Sequence, residues 1–165
     1  MTRPSYIPEF ARALATQELA ALIKEMEAIV SSSHLFKSLD EVGRKRVLES
    51  AYVTNFAPGD TLLREGMPGE SFLLVMKGTV IVETTSPSGP VHLAELGRGA
   101  CVGEVSVLTG QPRTATVTAK TEVDAAAFER HRIERVLADY PKVRSVLESL
   151  VVGRARDTIE KIVGS

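Results

Sequence analysis

The stretch from Gly103 to Val117, GEVSVLTGQPRTATV, sets a glycine and an acid ahead of a short apolar turn, then a proline and an arginine. A glycine before a helical turn lets the backbone come close to a ligand, and the first N–H groups of such a turn have no intrahelical partner. Those donors suit an anion. Arg113 adds a cation whose planar fork matches two phosphate oxygens, a contact of about 1.5 to 3 kcal/mol, and Pro112 fixes the backbone just before it. Glu104 is out of place beside a phosphate unless it turns to a hydroxyl donor, and a ribose 2′-hydroxyl is such a donor. These residue types describe a pocket for a ribose and a phosphate, with acid and base dividing the ligand. Singly, each has a plainer reading. Glu104 suits a first helical turn without any ligand, Arg113 could be a solvated arginine and Gly103 a turn residue. The spacing of all three argues for the pocket.

The elements that must position this stretch are short and β-rich. From Tyr52 to Phe128 the runs LLREG, FLLVMKG, VIVET, VHLAELG, ATVTA and VDAAAF are divided by glycine and proline, which predicts a barrel or sandwich. TTSPSGPV, Thr84 to Val91, reads as a surface hairpin loop. Ahead of the strands, apolar residues at three- and four-residue spacing predict an amphipathic helix over residues 9–30, interrupted by Ser31 to Ser33. A second helix follows with Leu35, Phe36, Leu39, Val42, Val47 and Leu48, and has Asp40 and Glu41 early and Lys45 later. After Arg130, IERVLADYP reads as a short helix ended by Pro141, and KVRSVLESLVVGRARDTIEKIV as a longer one with two apolar stripes and a bend at Gly153.

The Gly103–Val117 stretch resembles the phosphate-binding cassette of the cyclic nucleotide-binding domain family, roughly F-G-E-L-A-L-L, a variable turn, then P-R-A-A-T-V. The run PGDTLLREGMPGESFLLVMKGTVIV, Pro58 to Val82, is similar to the family's strand-turn-strand segment, with Gly59, Glu65, Gly66, Gly69, Gly78 and Val80 at matching places. The resemblance covers roughly His34 to the C-terminus and implies an α+β fold, a β jelly roll (double-stranded β-helix) flanked by N-terminal and C-terminal helices. The expected organisation is an N-terminal helical segment over 1–33, a β-roll over 34–140 holding the cassette at 103–117, and a lid or dimerisation helix over 141–165. The resemblance further implies that Glu104 accepts from the ribose 2′-hydroxyl and Arg113 pairs with the cyclic phosphate. Backbone N–H groups near Gly103, Val105, Ser106, Thr114 and Ala115 would complete the cradle. Counting from Pro141 as in bacterial catabolite activators brings Arg154 and Thr158 near the base, with Val151 capping the purine. Val102 stands where an aromatic usually precedes the glycine-acid pair, which affects packing rather than ligand contacts. Thr114 replaces an alanine common among cAMP-binding members, and several cGMP-responsive members carry threonine there, so cAMP and cGMP both stay open.

The 165 residues, 44% hydrophobic, allow one domain with flanking helices. With 20 basic and 21 acidic residues mixed along the chain, no broad nucleic-acid or membrane surface is expected. Ending at Ser165, the sequence leaves no length for a helix-turn-helix, so direct DNA binding is not expected either. The single cysteine, Cys101, fits a reducing compartment and a cytoplasmic location, and no membrane span or secretion signal is read. His34, His92 and His131 lie too far apart for metal-ligand spacing, and no nucleophile or acid-base constellation predicts an enzyme. The expectation is a sensor that binds cAMP or cGMP without a metal and moves its flanking helices, with a homodimer through the terminal helices and a protein effector as open partners. The alternative is a non-binding scaffold of the same fold that acts through protein-protein contacts.

Overall fold

The computed structural model describes residues 12–31 and 33–145. The helix expected over 9–30 is divided. Arg12–Ala13 form a short strand, β1, and two helices follow, α1 (Thr16–Lys24) and α2 (Met26–Val30). Two residues are too few to show a period, and β1 exists through its pairing with Tyr52 and Val53. At the break between α1 and α2, Glu25 reaches Arg98 at 2.6 Å. The second expected helix is also two, α3 (His34–Ser38) and α4 (Glu41–Glu49). Asp40 is an N-cap and not a first-turn acid, its carboxylate accepting from the Gly43 N–H at 2.8 Å. Ser33 caps α3 in the same way through the Phe36 N–H at 3.2 Å.

The β section forms where its sequence pattern placed it. Its strands are β2 (Tyr52–Phe56), β3 (Thr61–Leu63), β4 (Ser71–Lys77), β5 (Val80–Ser86), β6 (Gly89–Leu96), β7 (Cys101–Val102), β8 (Thr116–Ala119) and β9 (Val123–Glu129). They make a five-stranded sheet in the order β1-β2-β9-β4-β7 and a four-stranded sheet in the order β3-β8-β5-β6, with every pairing antiparallel. Between β7 and β8 lies α5 (Glu104–Thr109), and after β9 comes α6 (Arg130–Leu137). This is the α+β jelly roll with flanking helices that the sequence led us to expect. The segment read as a long loop at 84–91 is mostly strand: Thr84 pairs with Val91, Thr85 with Pro90 and Ser86 with Gly89, so only Pro87 and Ser88 turn. Pro90 is tolerated because β6 is an edge strand, where a missing donor disrupts no further ladder.

Two hydrophobic clusters share one wall. Phe72, Leu74 and Met76 of β4 and Ala126 and Phe128 of β9 face the helices, among Leu22, Ile29, Leu35, Phe36 and Leu48. The alternate residues Leu73, Val75, Val123, Ala125 and Ala127 face the interior of the roll. Phe72 and Phe128 stack at 4.8 Å, and Phe36 meets Phe128 edge-on at 5.7 Å, tying α3 to both strands. Residues 141–145 are helical again after Pro141. The rest of the expected terminal helix, with Val151, Gly153, Arg154 and Thr158, lies outside the described residues.

Candidate functional site

Strand β7 delivers the chain to Gly103, pairing Val102 with Leu73 and Cys101 with Leu74 of β4. Val102, in the place of the expected aromatic, packs in the cluster inside the roll. Gly103 is the N-cap of α5 at φ 82°, a left-handed conformation that L side chains rarely adopt. Space excludes a side chain as well, since a Cβ there would lie 2.6 Å from Arg113 Nη1 and 2.7 Å from Leu63 Cδ1. Helix α5 has six residues and ends at Gly110, whose N–H donates to the Ser106 carbonyl at 2.9 Å. The chain then passes the β3–β4 connection. There the Arg113 N–H donates to the Met67 carbonyl and the Gly66 N–H to the Arg113 carbonyl, both at 2.9 Å. The connection presses on α5 so closely that a Cβ on Gly69 would lie 2.2 Å from the Ser106 Cβ.

The Arg113 side chain folds back under this arch and is 8% exposed. Nη1 donates to the Gly103 carbonyl at 3.0 Å and Nη2 to the Ser71 carbonyl. No acid lies within ion-pair distance of it among the described residues. Burial pushes its pKa down to about 10, opposed only by the charge of nearby Glu70. A depression of that size corresponds to a cost on the order of 3 kcal/mol for keeping the cation charged there. A guanidinium carries five donors in a fixed fork, and those not spent on the two carbonyls can receive an anion.

Glu104 is 1% exposed, and its carboxylate is engaged by α3 rather than by Arg113. Oε2 accepts from the Ser33 hydroxyl at 2.5 Å and Oε1 from the His34 N–H at 3.1 Å. The acid that the resemblance turns to a ribose hydroxyl is thus held by the start of α3. Ser106 is buried, and Thr114 and Ala115 are half-buried at the exit of the cassette. The Thr114 carbonyl accepts from Thr84 Oγ1 at 3.1 Å. Val105 follows Glu104 in the first turn of α5, where N–H groups lack helical partners.

Sequence reasoning assigned no role to Ser33, His34, Ser71 or Glu65. Ser33 and His34 bond a carboxylate some seventy positions away, so no local pattern announces them. Ser71 acts through its carbonyl, which any residue supplies. Glu65 matched the family spacing, and its function is structural: Oε1 accepts from Thr84 Oγ1 at 2.6 Å and from the Thr85 N–H at 2.9 Å, fastening the connection to β5. Among the described residues no cluster of three potential metal ligands occurs, and no helix is long and apolar enough to cross a membrane.

This arrangement has close counterparts. The family model for the cyclic nucleotide-binding domain matches residues 53–140. The CRP-like cAMP-activated global transcriptional regulator of Mycobacterium tuberculosis is 26% identical over 134 residues, covering 81% of this chain and 60% of that protein. The chain therefore spans about three fifths of the length of the curated relatives it matches. Among solved structures, the N-terminal domain of a transcriptional regulator from Streptomyces coelicolor A3(2) is 36% identical with a TM-score of 0.62, over 79% of this chain and 94% of that one. The Thermus thermophilus Catabolite Activator Protein is 26% identical with a TM-score of 0.65, over 78% and 61%. With more than half of its length matched by that model, and with the glycine, acid and arginine of the cassette in place around α5, the chain belongs to the cyclic nucleotide-binding domain family.

Proposed function

We propose that this chain is a regulatory module that binds a purine cyclic nucleotide, cAMP or cGMP, in the Gly103–Val117 cassette and passes occupancy to its flanking helices. The observation that carries this reading is Arg113, a guanidinium buried in the roll with two carbonyl partners and no ion-pairing acid among the described residues. Burial of a cation without a counter-ion is costly, and an anionic phosphate offsets the cost. In the proposal Arg113 pairs with the cyclic phosphate and Glu104 accepts from the ribose 2′-hydroxyl. Backbone N–H groups at Gly103, Val105, Ser106, Thr114 and Ala115 complete the cradle, while Val151, Arg154 and Thr158 attend the base. The module works in the cytoplasm, without catalysis or metal, and its output passes through a partner copy or a protein effector.

The test is calorimetric titration of nucleotide-free protein with cAMP and with cGMP, beside Arg113→Ala. Saturable binding that the variant abolishes supports the proposal. Thr114→Ala then ranks the purines: it weakens cGMP more than cAMP if the threonine hydroxyl accepts from the guanine 2-amino group, and equal loss removes that basis for selectivity. A scaffold without ligand is favoured by one observation, the engagement of Glu104 by α3, and it predicts no binding of either nucleotide.

A further inference from the structure

We infer that the start of α3 is a latch on Glu104, so that Ser33 and the ribose of the nucleotide compete for one carboxylate and Ser33 sets the affinity of the pocket. This rests on the cyclic-nucleotide reading and adds to it a residue that lies outside the cassette. Three observations converge. Both carboxylate oxygens of Glu104 accept from α3, Oε2 from the Ser33 hydroxyl at 2.5 Å and Oε1 from the His34 N–H at 3.1 Å. Both residues are buried, Glu104 at 1% and Ser33 at 2% exposure, so a ribose hydroxyl reaches this carboxylate only after it turns. Ser33 Oγ meanwhile accepts from the Phe36 N–H at 3.2 Å, which makes the hydroxyl the link between the Glu104 charge and the helix cap.

The energetics favour a latch over an incidental contact. A charge-assisted O–H···O⁻ bond is among the stronger hydrogen bonds, and a carboxylate at a helix N-terminus is stabilised by the exposed N–H groups there. The α3 side is anchored, since Leu35 and Phe36 are fully buried and Phe36 packs on Phe128. Glu104 sits on a six-residue helix entered through a left-handed glycine and left through another. Coupling is reciprocal: a nucleotide that draws Glu104 away loosens the α3 cap, and a change that loosens the cap strengthens nucleotide binding.

The experiment is titration of wild type, Ser33→Gly and Ser33→Ala with cAMP and with cGMP, with hydrogen exchange read at the His34 and Phe36 amides. Glycine caps helices nearly as well as serine, so Ser33→Gly removes the hydroxyl and keeps α3, whereas Ser33→Ala carries the larger folding penalty. The latch predicts that both variants bind about tenfold more tightly than wild type, and that saturating nucleotide speeds exchange at those amides in wild type. Binding by the variants without any by wild type also supports it, since the latch then holds the pocket closed. Unchanged or weaker binding in both variants, with wild type still binding, overturns the latch alone and leaves the cyclic-nucleotide reading intact. No binding by any of the three proteins overturns that reading, and the latch with it.

Discussion

Arg113 in the cassette and Arg98 at the seam between the N-terminal helices and the roll both donate to backbone carbonyls, yet they live under opposite rules. Arg98 is 47% exposed in its side chain, bonds the Met76 carbonyl and pairs with Glu25 at 2.6 Å. Arg113 is 8% exposed and has carbonyls alone. A half-exposed ion pair contributes about 0 to 1 kcal/mol, because water screens it and two long side chains must be ordered. A buried guanidinium with no acid within ion-pair distance works against the fold by a larger amount. Surface pairs stitch elements together at little risk. The dry arginine is a local liability, and in the proposed function an anion would offset it.

The largest expected effect separates the two. Arg113→Ala should lower cyclic-nucleotide affinity by at least about a hundredfold, the loss of two charge-assisted bonds, while Arg98→Ala leaves affinity unchanged in the same titration. Retained binding in Arg113→Ala would erase the contrast. Gly103→Ala comes next. The left-handed backbone and the short approaches to Arg113 and Leu63 should cost roughly 1 to 3 kcal/mol of stability, with the guanidinium displaced and affinity reduced together, as thermal melts and titration would read.

A pH series sharpens the same comparison. The folded Arg113 sheds its proton at about 10, well below the ordinary arginine range. Its burial penalty is therefore constant below about pH 10 and shrinks above it, where the unfolded chain still holds the proton. Nucleotide affinity should stay flat as far as Arg113 is concerned up to about pH 9 and weaken beyond 10, provided the fold survives. The smallest effects belong to the seam. Arg98→Ala should cost less than about 1 kcal/mol of stability in denaturant titration. Glu18, held by Arg12 at 2.6 Å and by the Ala15 N–H, has its pKa lowered to about 2. Its contribution is present above the ordinary glutamate value and fades as pH falls toward 2, visible as faster exchange in α1 under acid.

What was legible in the sequence follows the range of the interactions. The β runs rest on local signals, short β-rich stretches divided by glycine and proline, and they formed as read. The long N-terminal helix was misread because β1 depends on a partner about forty residues away, and the second helix was divided because Asp40 uses its side chain as the cap of a separate helix. Proline, serine and glycine at 84–91 signalled a loop, yet an edge strand accommodates Pro90 and the ladder continues past it. In the site, the types and spacing of Arg113 and Glu104 were what singled them out. The carbonyls of Gly103 and Ser71 and the hold of Ser33 on Glu104 depend on packing between distant segments, which one sequence does not display.

Strands β4 and β9 are covered on both faces, by the interior of the roll on one and by the helices on the other. Loss of residues 1–50 would strip the part of the second cover that Leu22, Ile29, Leu35, Phe36 and Leu48 supply, leaving Phe72, Leu74, Met76 and Phe128 with only α5, α6 and the residues after it on that face. The smallest piece able to fold and stay in solution by itself therefore includes the helices. Any transplant of this domain into another protein should carry them along, or aggregation would be its first phenotype.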